Sequence, residues 1–191
     1  MIEISFSGRG GQGVVMASQI LGLAFFKAGN YPQCYSVFGG ERRGAPLASF
    51  LRVDDRKILL KCEIKYPNEF LCFDDTLFDL QEVRSQLVPG GNILINTRKS
   101  PEAFSDLAKD FKVGIIDGLA VSREIGLGNF FNTIMVGAYG GFTGHIGKDP
   151  IVAAIMEMAP TEPELNARGA LAAFERVTIL ESTNGTGGAH G

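Results

Sequence analysis

A glycine-rich segment near the start of the chain lies between a predicted strand and a predicted helix. Residues 2–6 are β-prone, and residues 7–13 read Ser-Gly-Arg-Gly-Gly-Gln-Gly, which cannot extend a strand. Over residues 14–27 the apolar positions recur at helical spacing, and Gly29 with Asn30 gives the C-cap signal that ends a helix. A strand, a glycine loop and a helix in this order are typical of sheets whose faces are covered by helices.

The glycine loop has the pattern of a phosphate-binding turn. Gly8, Gly10 and Gly13 satisfy G-x-G-x-x-G directly after the strand and at the start of the helix. Glycines let the backbone approach a ligand, and the free amides at a helix N-terminus favour an anion. Arg9 is expected to add a charge-assisted contact and Gln12 a neutral hydrogen bond. The alternative is that the glycines serve close packing of the helix on the strand.

The rest of the chain continues the alternation of strands and helices. Strands are predicted at residues 34–38, 47–53, 58–60, 70–73, 92–96 and 113–116, and helices at residues 132–142, 150–158 and 163–180. The strands 47–53 and 58–60 are expected to pair as an antiparallel hairpin. The sequence thus predicts an α/β fold with a mostly parallel sheet, an antiparallel hairpin and C-terminal helices packed on the sheet. One domain is expected over residues 1–181, followed by a flexible Gly-rich tail at 182–191.

Composition excludes several classes of function. The net charge of −3 and the pI near 5.4 supply no field for nucleic acid or anionic membranes. Cys34, Cys62 and Cys72 lack the spacing of a metal or iron–sulfur site. Neither a leader sequence nor a long apolar run is visible, so a cytoplasmic protein without a membrane span is expected.

A second glycine-framed segment, residues 39–46, carries adjacent arginines. Arg42 and Arg43 are suited to clamping a carboxylate or phosphate, and the segment follows the next strand after the glycine loop. In an open α/β sheet both loops can line one crevice. The alternative is a solvated turn with Glu41 paired to an arginine.

Two further clusters are interpreted without catalysis. Asp74 and Asp75 have no further ligand nearby, so they are read as a strand-end turn and helix cap rather than a metal site. His145 follows a predicted helix, and a contact with the helix C-terminal dipole explains it more simply than catalysis does.

The two glycine segments resemble a known family. Residues 7–15, Ser-Gly-Arg-Gly-Gly-Gln-Gly-Val-Val, and residues 38–46, Phe-Gly-Gly-Glu-Arg-Arg-Gly-Ala-Pro, look like the γ subunit of 2-oxoacid:ferredoxin oxidoreductases of the pyruvate or ketoisovalerate type. The likeness extends to residues 132–138 and to Asn166, and so covers the chain to about Leu180. The resemblance implies a Rossmann-like three-layer sandwich that is not an enzyme on its own.

The resemblance also implies a reaction and a set of partners. The complex oxidatively decarboxylates a 2-oxo acid to acyl-CoA and reduces ferredoxin, and its other chains are the α, β and ferredoxin-like δ subunits. Thiamine diphosphate, Mg²⁺ and 4Fe–4S clusters are expected in those partners. The form of residues 41–46 favours pyruvate or branched-chain acids over 2-oxoglutarate, although Gly40 departs from the pyruvate pattern. A subunit that buries one flank in partners should expose apolar surface, so the isolated chain could form a homodimer.

In the related single-chain enzymes the equivalent domain contributes to the coenzyme A site. The residues expected to bind coenzyme A are Gly8, Arg9, Gly10, Gly11, Gln12 and Gly13, with Arg42, Arg43 and Gly44.

Two other hypotheses remain open. Arg42 and Arg43 could instead receive the 2′-phosphate of NADP in a stand-alone oxidoreductase, although the acidic residue usual at the end of the second strand is absent. The third hypothesis is a purely structural spacer within the complex, which would not bind coenzyme A.

Overall fold

The computed structural model describes residues 1–38 and 46–180, arranged as one seven-stranded sheet with helices on both faces. The elements are β1 (Ile2–Arg9), α1 (Val14–Lys27), β2 (Tyr31–Phe38), β3 (Pro46–Asp54), β4 (Glu69–Cys72), α2 (Leu80–Gln86), β5 (Asn92–Asn96), β6 (Lys112–Ile116), α3 (Gly118–Glu124), α4 (Asn132–Thr143), α5 (Lys148–Met158), α6 (Pro163–Arg176) and β7 (Thr178–Leu180). Short 3₁₀ turns cover Asp75–Leu77, Pro101–Phe104 and Leu107–Lys109.

The strand order is β2-β3-β1-β4-β5-β6-β7. The strands β1, β4, β5 and β6 are parallel, β3 runs antiparallel to both β1 and β2, and β7 runs antiparallel to β6. Five of the seven strands therefore point the same way, and the predicted α/β fold with a mostly parallel sheet and an antiparallel hairpin is confirmed.

The predicted location of the hairpin is wrong. Residues 58–60 form no strand, and the partner of β3 in the hairpin is β2. Both edges of β3 are already hydrogen-bonded along eight-residue registers with β1 and β2, so no edge is left for residues 58–60. The last predicted helix is also too long, because residues 178–180 pair with β6 instead.

Alternation along the strands builds a core on each face. In β5, Leu94 packs under α1 and α3–α6, whereas Ile93 and Ile95 pack under α2 and the last two 3₁₀ turns. The parallel strands end together at what we call the carboxyl edge of the sheet and begin together at its amino edge. The connections at the carboxyl edge position the glycine loop.

None of the helices in the described part of the chain has the length and hydrophobicity needed to cross a bilayer. Residues 182–191, predicted to be a flexible tail, lie outside the described residues, as do Arg42, Arg43 and Gly44.

Candidate functional site at the carboxyl edge

The glycine loop connects β1 to α1 through a turn closed by a side chain. Gln12 donates its backbone N–H to the carbonyl of Arg9 at 3.1 Å, and its side-chain Oε1 accepts the N–H of Arg9 at 2.7 Å. Gln12 thus fixes the loop through both its backbone and its side chain. The Gln12 side chain was predicted to bind a ligand, and in this structure its Oε1 holds the loop backbone.

Glycine is needed at different positions of the loop for different physical reasons. A Cβ on Gly8 would lie 2.6 Å from Val14 and 2.9 Å from Phe73, so Gly8 serves helix-to-strand packing. A Cβ on Gly13 would lie 2.9 Å from Asn132, and Gly13 also has a φ of 74°. Gly11 has a φ of 97° but open space where its Cβ would be. Packing therefore accounts for Gly8 and Gly13, whereas Gly11 presents bare backbone to a cavity.

Arg9 and Gln12 converge on Asp74, which follows β4. The Nε of Arg9 lies 2.9 Å from Oδ2 of Asp74, and the Nε2 of Gln12 lies 3.2 Å from the same oxygen. Burial works to raise the pKa of Asp74, but hydrogen bonds from Thr76 and then from Arg9 outweigh it, so this pKa lies below its ordinary value. An anion bound by Arg9 would have to share that guanidinium with a carboxylate.

Two cavities lie on either side of the loop, and Gln12 lines both. The strand-end cavity has a volume of about 470 Å³ and is lined by residues such as Asp74, Asn96, Arg98 and Asp117. The helix-end cavity is smaller, about 280 Å³. Its lining includes Gly11, Gly13, Met16, Leu127, Phe130, Asn132 and Thr133. We call the two cavities together the cleft; the strand-end cavity has the size used for small-molecule ligands, and the helix-end cavity adds apolar side chains beside the loop.

Helix N-termini face the helix-end cavity. Gly13 is the N-cap of α1 and Phe131 that of α4, and among the described residues no side chain caps either helix. The amides of a first helical turn without a side-chain cap attract negative charge. The glycine loop and the N-terminus of α1 therefore offer neutral backbone N–H donors to a phosphate in the helix-end cavity, rather than a cationic side chain.

The second predicted segment can be placed by its flanks. Phe38 pairs with Leu47 across the hairpin, and Pro46 pairs with Arg9 at the end of β1. The flanks of residues 39–45 thus lie at the carboxyl edge, beside the glycine loop, while the predicted arginines themselves lie outside the described residues.

Asp74 is the site residue that sequence reasoning missed. It was interpreted as a strand-end turn and cap, and it does cap the first 3₁₀ turn by accepting the N–H of Thr76 at 3.0 Å. Its second role, holding Arg9 and Gln12, depends on β4 lying beside β1. The described residues hold no group of three or more His, Cys, Asp or Glu side chains that could bind a metal ion.

His145 lies at the opposite, amino edge. Its Nε2 is 2.9 Å from Oε1 of Glu69, the first residue of β4, and this oxygen also accepts the side-chain amide of Asn92 at 2.8 Å. Burial, with Glu69 as the second cause, raises the pKa of Tyr139 well above its ordinary value. The contact of His145 is therefore with a buried carboxylate instead of the helix terminus that was predicted.

Comparisons with known proteins give one consistent result. The family model described as pyruvate ferredoxin/flavodoxin oxidoreductase matches residues 3–176. The pyruvate/ketoisovalerate oxidoreductases common subunit gamma of Thermococcus kodakarensis is 38% identical over 184 residues, which cover 95% of this chain and 100% of that protein. The pyruvate synthase subunit PorC of Methanocaldococcus jannaschii is 39% identical over 178 residues, covering 93% of this chain and 97% of that one.

Solved structures agree with the sequence relatives. The crystal structure of the pyruvate oxidoreductase subunit PORC of Thermotoga maritima superposes with a TM-score of 0.81 at 29% identity, covering 94% of this chain and 98% of that one. The 2-oxoglutarate:ferredoxin oxidoreductase of Magnetococcus marinus, solved with coenzyme A bound, gives a TM-score of 0.74 at 15% identity and shows the shared fold. The alignment covers 94% of this chain and 32% of that much longer one.

Proposed function

The chain belongs to the pyruvate ferredoxin/flavodoxin oxidoreductase family as a γ subunit, and from this premise we propose that its carboxyl edge binds the phosphates of coenzyme A within the assembled complex. The complex couples oxidative decarboxylation of a 2-oxo acid, pyruvate or a branched-chain acid, to reduction of ferredoxin. The α, β and δ partners supply thiamine diphosphate, Mg²⁺ and the 4Fe–4S clusters, and this chain supplies binding and scaffolding.

The observation that carries the proposal is the bare backbone of Gly11 beside the N-terminus of α1. Gly11 has open space at its Cβ position, and no side chain among the described residues caps α1. Phosphates bind such backbone amides without needing a side chain. The helix-end cavity next to Gly11 is lined by Met16, Leu127 and Phe130 together with amide and hydroxyl groups, a mixture that suits the chain of amides and methylenes in coenzyme A.

The Arg9–Asp74 ion pair is compatible with coenzyme A binding as a contact that orients the glycine loop. Arg9 is about one-third exposed and Asp74 about one-sixth, so the pair borders the cleft without being sealed from it. Its role is then to hold the loop in the binding conformation, with the guanidinium close enough to contribute charge to a bound phosphate.

The strand order argues against the NADP hypothesis. A dinucleotide site holds the ribose at the end of the second strand in chain order, which in that fold lies next to β1. Here β3 lies between β1 and β2, so β2 is two strand spacings, about 10 Å, from the glycine loop. The end of β2 is therefore too far from the glycine loop to hold the ribose of a dinucleotide bound there.

The test uses two glycine variants with the same backbone cost. Gly11→Ala and Gly29→Ala both place an alanine at positive φ, 97° and 91°, with open space for the new Cβ. Gly29 lies beyond the C-terminal end of α1, away from the loop. In the reconstituted complex, with a viologen acceptor and pyruvate or 2-ketoisovalerate, we expect Gly11→Ala to raise the KM for coenzyme A about tenfold. The added Cβ would occupy the open space beside the backbone and keep a phosphate from the amides, at a cost of roughly one charge-assisted hydrogen bond.

The kcat should be unchanged in both variants, because a phosphate contact is equal in the ground and transition states. Gly29→Ala should leave the KM for coenzyme A at the wild-type value. Equal KM values in all three proteins would rule out coenzyme A binding at Gly11 and favour the structural-spacer hypothesis. The ratio of the two substrate activities identifies the preferred 2-oxo acid.

A further inference from the structure

The connection between β3 and β4 carries a concentration of positive charge. Residues 56–65 contain four cations and one carboxylate, a net charge of +3, in a chain whose net charge is −3. The remainder of the chain therefore carries −6. We call residues 56–66, which contain neither helix nor strand, the basic segment.

The basic segment also exposes large apolar side chains. Leu59 is 80% exposed, Tyr66 is 65% exposed and Leu60 is 44% exposed. Exposed apolar groups next to one another, surrounded by charge, are typical of protein–protein contacts. Among the described residues, neither core cluster includes these three side chains.

The segment is nevertheless held in place. The side chain of Gln33 donates to the carbonyl of Leu60 at 3.0 Å, and Arg52 donates to the carbonyl of Cys62 at 2.7 Å. The hydroxyl of Tyr35 accepts the N–H of Ile64 at 2.6 Å. Side chains of β2 and β3 thus hold the backbone at every second residue, 60, 62 and 64.

One of these contacts, from Arg52 to the carbonyl of Cys62, is made by a buried cation. Arg52 is 2% exposed, and its Nε lies 2.6 Å from the carboxylate of Glu3. A charged group is expensive to bury, and here one of its hydrogen bonds is used to fix an exposed loop. The basic segment therefore forms an ordered surface against β2 and β3.

Its lysines differ from the others in the described chain. Lys57, Lys61 and Lys65 make no ion pair or hydrogen bond with the described residues. By contrast, a carboxylate or carbonyl partner is found for Lys27, Lys99, Lys109, Lys112 and Lys148. All three unpaired ammonium groups of the basic segment are exposed.

We infer that the basic segment docks onto an acidic surface of another subunit of the complex, an inference that rests on the proposed membership of that complex. Ordered backbone, unpaired lysines and exposed leucines together match an interface with an apolar centre and a charged rim. A lipid surface would instead require an amphipathic helix or a larger apolar insertion, and the segment has neither.

The test is assembly of co-expressed subunits, measured by native mass spectrometry and size-exclusion chromatography. We expect Lys57→Glu/Lys61→Glu to weaken association of this chain with its partners about tenfold, and raised salt to weaken the wild type more than the variant. Leu59→Ser should weaken association at all salt concentrations, and since Leu59 is 80% exposed the chain should fold normally.

The matched control is Arg123→Glu/Arg168→Glu. It makes the same change in net charge at exposed positions of α3 and α6, on the opposite face of the sheet. Normal assembly of the basic-segment variants, or an equal defect in the control, would overturn the inference. Flotation of the wild type, but not the double lysine variant, with phosphatidylserine vesicles would assign the segment to a membrane instead. A wild-type chain that joins no complex would contradict the proposed function, and with it the partner assigned here.

Discussion

The two edges of the sheet hold their charged groups in different ways. At the amino edge, Glu69 is 3% exposed and receives hydrogen bonds from Asn92 and His145. At the carboxyl edge, Arg9 and Asp74 form a pair whose side chains are 37% and 15% exposed. At the amino edge only the carboxylate is shielded from water, because His145 is 39% exposed, whereas at the carboxyl edge both members of the pair border a cleft.

This difference separates stability from function within one sheet. A buried carboxylate strengthens its hydrogen bonds and makes their loss expensive. A pair in contact with solvent is worth little in stability, and its guanidinium stays accessible to a ligand. We therefore expect removal of the buried carboxylate at the amino edge to destabilise the chain most, and substitutions at the carboxyl edge to change binding.

The largest effect should come from the buried carboxylate. Glu69→Ala removes the acceptor of the Asn92 amide and of His145, and it takes a buried carboxylate away from beside the buried Tyr139. We expect the free energy of unfolding to fall by about 3 kcal/mol, the usual cost of breaking a buried charged network. Urea unfolding followed by circular dichroism at pH 7 measures this.

The control for Glu69→Ala is Glu157→Ala. Glu157 pairs with Lys27 at 2.7 Å, but its side chain is 58% exposed. An exposed pair contributes at most about 1 kcal/mol. If the two alanine variants lost the same stability, the amino edge would not be the stabilising edge and the comparison would fail.

A smaller, pH-dependent effect is expected at His145. The hydrogen bond with Glu69 raises the pKa of this imidazole, and partial burial offsets the rise in part. Because the folded pKa lies above the unfolded value of about 6.5, the contribution is complete below that pH and is lost as the pH rises through the folded pKa.

The measurement compares wild type with His145→Gln at pH 5.5 and pH 9. The imidazole is 39% exposed, so after allowance for solvent screening we expect a stability difference of about 0.5 kcal/mol at pH 5.5 and less at pH 9. A difference that grows with pH would show that His145 does not interact with Glu69 as a cation.

The glycine loop could be predicted because its signals are local. The end of β1, the turn and the start of α1 occupy consecutive residues, and the family resemblance carried by residues 7–15 is confirmed. The partners that fix the loop are distant in sequence. Asp74 meets Arg9 because the chain crosses from β3 to the far side of β1 before forming β4, and no local pattern encodes that crossing.

The hairpin partner of β3 could not be predicted for a related reason. A short apolar run at residues 58–60 after a polar turn looks like the second strand of a hairpin. Whether it pairs depends on which strands already occupy both sides of β3. The Glu69 and His145 contact joins residues 76 positions apart, and its signal in sequence is a lone histidine after a helix.

An equally small effect is expected at the carboxyl edge, where Asp74→Asn removes the charge that faces Arg9 and leaves a residue that can still cap the 3₁₀ turn. Burial acts to raise the pKa of Asp74, but Thr76 and Arg9 hold this pKa below its ordinary value.

The stability that the Asp74 carboxylate contributes is therefore present above about pH 4, the unfolded pKa, and is lost as the pH falls through the folded pKa. Since Arg9 is 37% exposed, we discount the pair for screening and expect a loss of about 0.5 kcal/mol at pH 7 that shrinks as the pH falls below about 4. The sign is opposite to that at His145, so urea unfolding of both variants across pH 3 to 9 separates the two edges. A loss at Asp74 as large as that at Glu69 would mean that the carboxyl edge is as important for stability as the amino edge, and the difference between the two edges would disappear.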